Sequence, residues 1–158
     1  ILGSDFMLDE DIKQNLFANP QNVIAKIPTL IKTQPTNLKE LLFLLVDIVE
    51  MNYDEVKSVP LHSLNDALTQ CITNPSEEVR RTAIELLFKL DEEIALLFVD
   101  IMLEDENIWN RMRLVELLQY SKSPIAEDAL NKLQNDDEQM VSETAKQILS
   151  ERQSEIQN

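Results

Sequence analysis

The sequence has very few of the residues from which enzyme sites are built. Its 158 residues include one glycine, one cysteine and one histidine. A single glycine excludes a glycine-rich phosphate loop and a dinucleotide-binding turn, because both need several residues without a Cβ atom. One cysteine and one histidine exclude an ordinary zinc site, a disulfide framework and a Cys–His nucleophile pair. We therefore expect no catalytic residues, no metal site and no cofactor.

Positive charge and long hydrophobic runs are also scarce. The chain has 14 Lys and Arg against 29 Asp and Glu, so its formal net charge is −15. Such a charge repels a phosphate backbone, which argues against nucleic acid as a direct ligand. The longest apolar runs, 41–46 and 94–99, are far shorter than the roughly 18 residues that a membrane span needs. We predict no membrane insertion, and the single free cysteine favours the cytoplasm.

Helix signals dominate the chain. Turn and cap residues recur at regular intervals, and the segments between them carry apolar residues three or four positions apart, which is the helical period. We therefore predict an all-α protein in which Pro28 and Pro60 fall inside two of the helices. The nine predicted helices span residues 8–18, 21–33, 37–52, 55–73, 76–90, 91–104, 107–121, 124–134 and 138–152.

A repeat is visible when the second half of the chain is aligned with itself. Segments 79–87, 110–118 and 141–149 align without gaps at a spacing of 31 residues, and the turns at Asn74, Asp105 and Asp136 share one phase. A helix pair that recurs near this period predicts an α-solenoid, in which each pair buries its apolar face against its neighbours.

The repeat also predicts the domain boundaries. It is clearest over residues 60–152, and helix alternation extends the single predicted domain to 5–152. Residues 1–4 contain the only glycine and fit no repeat, so we interpret them as an artificial remnant. Residues 153–158 form a polar tail, which we expect to be a solvated cap or a frayed end.

Residues 74–87 resemble a HEAT repeat of the short type that is named after the phycobilisome lyases. An Asn-Pro turn precedes Val79-Arg80-x-x-Ala83, and the segment ends in leucines. The match is partial in the next two repeats, where Arg111 keeps the arginine and Ala145 keeps the alanine. The resemblance implies a right-handed α-solenoid of HEAT-like helix pairs, and it implies little about function.

Some proteins with HEAT-like repeats are lyases, hydroxylases or DNA glycosylases. The hydroxylases hold iron through repeated His-Glu pairs, whereas Ser63 follows the only histidine, His62. The glycosylases bind DNA on a cationic surface, which a charge of −15 does not provide. A lyase needs few catalytic residues, so a lyase-like enzyme or enzyme subunit stays an alternative.

Charged residues fall at repeated positions. Arg80 and Arg111 share one phase, and they are interpreted either as a ladder that pairs with adjacent turns or as an anion site. The helix dipole stabilises acidic residues at the N-termini of the first helices. The net charge of −15 exceeds what this effect requires, and the remaining negative charge would steer a basic partner. The acidic residues that we place in a partner-binding site are Glu104, Asp105, Glu106, Asp136 and Asp137.

Apolar residues stand where the other repeats are polar. Leu96 aligns with Asn65 and Glu127, Leu97 with Asp66 and Asp128, and Ile101 with Gln70 and Lys132. If these polar residues face solvent, then Leu96, Leu97 and Ile101 form an exposed apolar spot of the kind that marks contact sites. The alternative is that local curvature or a neighbouring helix covers them.

Trp109 replaces Glu78 and Met140 of the other repeats. It is predicted either to plug a gap between turns or to be an exposed partner-binding anchor.

These features predict a non-catalytic protein–protein interaction module or adaptor that binds a basic or amphipathic protein segment. The first alternative is a self-associating scaffold domain, with which a homodimer is compatible. The second alternative is the lyase-like enzyme or enzyme subunit.

Overall fold

A computed structural model describes residues 20–33 and 35–157. The described chain is helical and contains no β-strand, so the all-α prediction is confirmed. The predicted helix 8–18 and the predicted remnant 1–4 lie outside the described residues. The elements are α1 (Pro20–Thr33), a 3₁₀ turn (Pro35–Asn37), α2 (Leu38–Met51), α3 (Tyr53–Lys57), α4 (His62–Cys71), α5 (Glu77–Leu90), α6 (Glu92–Leu97), α7 (Val99–Leu103), α8 (Ile108–Leu118), α9 (Pro124–Leu133) and α10 (Gln139–Gln157).

The chain divides into two compact units, the first ending at Leu90 and the second beginning at Asp91. In the first unit, α1 packs on α4, α2 packs on α5, and α4 packs on α5. In the second unit, α7 packs on α9, and α8 packs on both α9 and α10. Helices at equivalent repeat positions of the second unit, α8 with α10 and α7 with α9, therefore pack on one another.

The turns that open the first helices share one geometry. The side-chain oxygens of Asn74, Asp105 and Asp136 each accept a hydrogen bond from the backbone N–H two residues later, at 2.9 Å in all three turns. Asn107 then caps α8 by accepting from the N–H of Asn110 at 3.0 Å. Short polar side chains favour such turns because they satisfy N–H groups that a starting helix leaves unpaired. The predicted phase of the turns is thus confirmed.

The apolar residues that the second helices share predict core positions at Ile94, Val99, Met102 and their equivalents, and the structure confirms this for two of the three positions. Val99 and Met102 are buried, and so are their equivalents in the other repeats, Leu68, Cys71, Leu130 and Leu133. At the third position Ile94 is only half-buried, and its equivalent Ile125 has an exposed side chain. It lies in the first turn of α9, and a helical side chain points towards the N-terminus of its helix. Ile125 therefore points past the helix end, and the core prediction for it is wrong.

Three predicted helix boundaries are also wrong. The helix expected at 55–73 is interrupted between Lys57 and His62, where Pro60 lacks the N–H that a continuous helix needs. The helix expected at 91–104 is divided at Phe98, whose φ of −107° and ψ of 11° depart from helical values. The last helix was expected to end at 152 but continues to Gln157 through most of the predicted tail.

Candidate protein-interaction site

An acidic cleft lies in the second unit between the turn that follows α7 and the turn that follows α9. Its volume is about 340 Å³, which is at the lower end of the range for ligand pockets. All five acidic residues that the sequence placed in a partner-binding site line this cleft. The complete lining consists of Leu103, Glu104, Asp105, Glu106, Arg111, Lys132, Leu133, Asn135, Asp136 and Asp137.

Arg111 joins the two turns that form the acidic cleft. Its Nε and Nη2 atoms donate to the two carboxylate oxygens of Asp136 at 2.9 and 3.1 Å, and Nη1 donates to the backbone carbonyl of Asp105 at 2.7 Å. The side chains of Arg111 and Asp136 are only 14% and 9% exposed. A two-pronged arginine–carboxylate contact is both strong and directional. This pair therefore holds the two turns together.

The ladder interpretation of the arginines is confirmed at Arg111, since its partner Asp136 belongs to the next repeat. Arg80 donates to two backbone carbonyls of its own turn, that of Asn74 at 3.0 Å and that of Pro75 at 3.1 Å. Both guanidinium groups thus have structural partners, which leaves the anion-site interpretation without a supporting contact.

The carboxylates of the acidic cleft fall into two classes. Asp105 is half-buried and Asp136 is largely buried, and both cap turns; Asp105 also accepts from the side-chain amide of Asn110 at 3.1 Å. Glu104, Glu106 and Asp137 are exposed at the rim. The rim residues are the ones that can meet a cationic group of a partner, because Asp105 and Asp136 are engaged within the fold.

The predicted apolar spot is exposed at two of its three residues. Leu97 is 75% exposed and Ile101 is 48% exposed. Their polar equivalents Asp66, Asp128 and Lys132 are exposed too, as the comparison between repeats assumed.

Leu96 is only 5% exposed, so its assignment to the apolar spot is wrong. The comparison assumed that a polar residue at an equivalent position faces solvent. Asn65, one equivalent of Leu96, is itself buried, whereas the other equivalent, Glu127, is exposed, so a polar residue at this position does not show that the position faces solvent. The apolar spot consists of Leu97 and Ile101 alone.

The apolar spot lies close to the acidic cleft along the chain. Leu97 ends α6, Ile101 lies in α7, and Leu103 at the end of α7 lines the cleft. Leu97 and Leu103 are six residues apart in the chain, on either side of the break at Phe98. Lys132, which also lines the cleft, pairs at 3.3 Å with Asp100, the residue next to Ile101.

Trp109 is 58% exposed at the start of α8, so it does not plug a gap between turns. At the equivalent position in the first unit, Glu78 pairs with Lys39 at 2.7 Å. The hydrogen bond and the charge of Glu78 raise the pKa of Lys39, and the same contact lowers the pKa of Glu78. One repeat thus has a surface ion pair where the next has an exposed aromatic ring.

Tyr120 is a large exposed side chain that the sequence interpretation missed. It is 82% exposed, just after the end of α8. The signal was available in the repeat, because the equivalent residues are Lys89 and Glu151. Comparing first helices with each other, as was done for second helices, would have identified it.

Cys71 and His62 are the only cysteine and the only histidine of the chain. Cys71 is buried, and this burial raises the pKa of its thiol to about 11, which suppresses the reactive thiolate. His62 is exposed at the start of α4. Within residues 20–33 and 35–157, no cluster of three His, Cys, Asp or Glu side chains is arranged to hold a metal ion. None of the helices described is long and apolar enough to span a bilayer.

We compared the chain with protein-family models, with curated proteins and with solved structures. No match was found in any of the three comparisons.

Proposed function

We propose that this protein is a non-catalytic interaction module that binds a basic, amphipathic segment of another protein. The observation that carries the proposal is the exposure of Leu97 and Ile101 beside a cleft with an acidic rim. The fold does not require apolar residues here, since other repeats place Asp66, Asp128 and Lys132 at these positions. The exposure of the apolar side chains of Leu97 and Ile101 is therefore better explained by contact with a partner.

The energetics are consistent with a partner whose apolar residues cover Leu97 and Ile101 and whose basic residues are attracted by the acidic rim. Covering a fully exposed leucine or isoleucine contributes roughly 1.5–3 kcal/mol, so the two side chains together can supply about 3 kcal/mol. Leu97 and Ile101 lie on either side of the break at Phe98, four residues apart in the chain, and both side chains are exposed. A partner helix with apolar residues on one face and Lys or Arg at one end would match both the spot and the acidic rim.

The proposal includes the HEAT-like architecture. It is supported by the 31-residue period, by the repeated turn geometry and by the packing of equivalent helices within the second unit. The right-handed solenoid and the cytoplasmic location stay predictions.

The apolar contribution can be tested with a fluorescein-labelled helical peptide of leucine and lysine whose apolar residues lie on one face. We expect the double variant Leu97→Asp with Ile101→Asp to weaken binding, measured by fluorescence anisotropy, by about tenfold or more. Met51→Asp is the matched control, because Met51 is similarly exposed but lies in the first unit. Added negative charge alone would strengthen binding of a basic peptide, so weakening identifies apolar contact.

The acidic rim is tested separately with Glu104→Lys and Asp137→Lys. Binding of the same peptide should weaken and lose part of its salt dependence, whereas Asp47→Lys on α2 should have little effect. Equal binding by the wild-type protein and the Leu97/Ile101 double variant would refute the proposal. So would equal binding of a peptide with the same composition in scrambled order.

A further inference from the structure

The outward face of α8 carries a continuous stripe of four exposed residues. Trp109, Arg113 and Glu116 lie on the helix, and Tyr120 follows it after Gln119, which is also in a helical conformation. At 100° per residue, the four positions fall within an arc of about 60° and span about 16 Å. The opposite face of α8 is buried through Asn110, Leu114, Val115 and Leu118.

The two aromatic rings at the ends of this stripe have no role in the repeat. The equivalents of Tyr120 are Lys89 and Glu151, and the equivalents of Trp109 are Glu78 and Met140. Tryptophan and tyrosine are enriched at the energetic centres of interfaces, where they supply large contact areas. The stripe is therefore a second candidate contact surface, independent of the apolar spot and the acidic cleft.

The order of residues along the stripe is self-complementary. Trp109 and Tyr120 are equally distant from the point midway between Leu114 and Val115, and so are Arg113 and Glu116. A two-fold axis through that point places each residue of a pair opposite the other member of the pair. Such an isologous contact is the commonest form of interface in homodimers.

We propose that this face of α8 docks on the same face of a second copy of this chain, with the two helices antiparallel. In this arrangement Trp109 packs against the partner's Tyr120, and Arg113 meets the partner's Glu116. Because the interface is symmetric, each contact occurs twice. The proposal is independent of the proposed function, since it uses none of the same residues.

The charges determine the direction of the two helices. Within one chain Arg113 and Glu116 lie 2.8 Å apart, with side chains 43% and 50% exposed. Antiparallel copies place positive charge next to negative charge on both sides of the axis. Parallel copies would place Arg113 next to the partner's Arg113 and Glu116 next to the partner's Glu116, which is repulsive.

The size of the surface indicates a weak dimer. Four aromatic rings bury at most roughly 600 to 1,000 Å², which is below the usual area of a stable interface. We therefore expect a dissociation constant on the order of tens of micromolar. Sedimentation velocity of the full chain between about 1 and 500 µM covers this range.

The decisive experiment uses two charge-reversal variants. Arg113→Glu leaves only negative charge on the stripe, and Glu116→Arg leaves only positive charge. We expect each variant alone to dimerise at least about tenfold more weakly than the wild type, and an equimolar mixture of the two to dimerise at least as strongly as the wild type. If Arg113 and Glu116 acted only within one chain, mixing the two variants would not restore dimerisation.

The aromatic contribution and the controls complete the test. Trp109→Ser with Tyr120→Ser should weaken the dimer by about tenfold or more, since both copies lose both rings. Leu97→Asp should leave self-association unchanged. All substituted side chains are exposed, and circular dichroism checks that each variant is folded. A wild-type protein that is monomeric at about 500 µM, or a mixture that does not recover, would overturn the proposal.

Discussion

Substituting Arg111 with methionine is the most direct test of how the acidic cleft is held together. The substitution keeps most of the aliphatic stem and removes the guanidinium group. Three hydrogen bonds are lost, two to the carboxylate of Asp136 and one to the carbonyl of Asp105. Asp136 keeps its bond from the N–H of Glu138, but its largely buried charge loses its cation.

The expected loss of stability follows from these contacts. A typical hydrogen bond contributes about 1 kcal/mol net, and bonds to charged groups contribute more. Breaking a fully buried ion pair costs about 3–5 kcal/mol, and this pair is slightly exposed. We therefore expect Arg111→Met to lower the free energy of unfolding of the second unit by about 3 kcal/mol. With a urea m-value near 2 kcal/mol/M, the midpoint would fall by about 1.5 M.

The assay can report on the second unit specifically. Trp109 is the only tryptophan in the chain and lies on the same helix as Arg111, so its fluorescence during urea unfolding follows this unit. A double-mutant cycle of Arg111→Met and Asp136→Asn should give a coupling energy of about 2 kcal/mol.

The control cycle uses Lys132 and Asp100, an ion pair in the same unit with side chains 63% and 81% exposed. Its coupling energy should be below about 0.5 kcal/mol and should fall further in salt. Equal coupling energies in the two cycles, or a loss below about 1 kcal/mol for Arg111→Met, would refute the reasoning.

Two further predictions concern buried polar groups. The side-chain oxygen of Asn65 is buried without a hydrogen-bond partner among the described residues, so Asn65→Leu should stabilise the protein by about 1 kcal/mol in urea unfolding. The control Asn110→Leu should destabilise it, since Asn110 donates to Asp105, and the reverse order would contradict the prediction. Burial raises the pKa of Cys71 from 9.0 to about 11, so iodoacetamide should react slowly at pH 8 unless urea is added. Stability should fall as pH rises from 9 to 11, because the unfolded chain loses the thiol proton first; fast alkylation of the native protein would show that the thiol is accessible.

The helices and their turns could be predicted because local chemistry determines them. The apolar period of three to four and the polar residues at Asn74, Asp105 and Asp136 act over a few neighbouring residues. The errors arose where a single backbone position decides the outcome. The helix is interrupted near Pro60 and again at Phe98. The repeat pattern does not predict such interruptions, because it reflects the positions that the repeats share.

The candidate site could be predicted only in part. Leu97 and Ile101 were identified because their equivalents Asp66, Asp128 and Lys132 are polar, and the structure shows that these equivalents are exposed. The same comparison failed for Leu96, because a polar residue such as Asn65 can itself be buried. Burial depends on which helices cover a position, and a single sequence carries that information only indirectly.

By itself, the sequence determined the all-α class, the 31-residue period, the phase of the turns and the acidic residues that follow them. Each of these depends on contacts between residues close together in the chain. Only the tertiary structure decided that two acidic turns form one cleft across Arg111 and Asp136, 25 residues apart, and that Trp109 and Tyr120 are exposed. Those outcomes depend on which helices pack together, because packing selects the side chains that meet and those that solvent reaches.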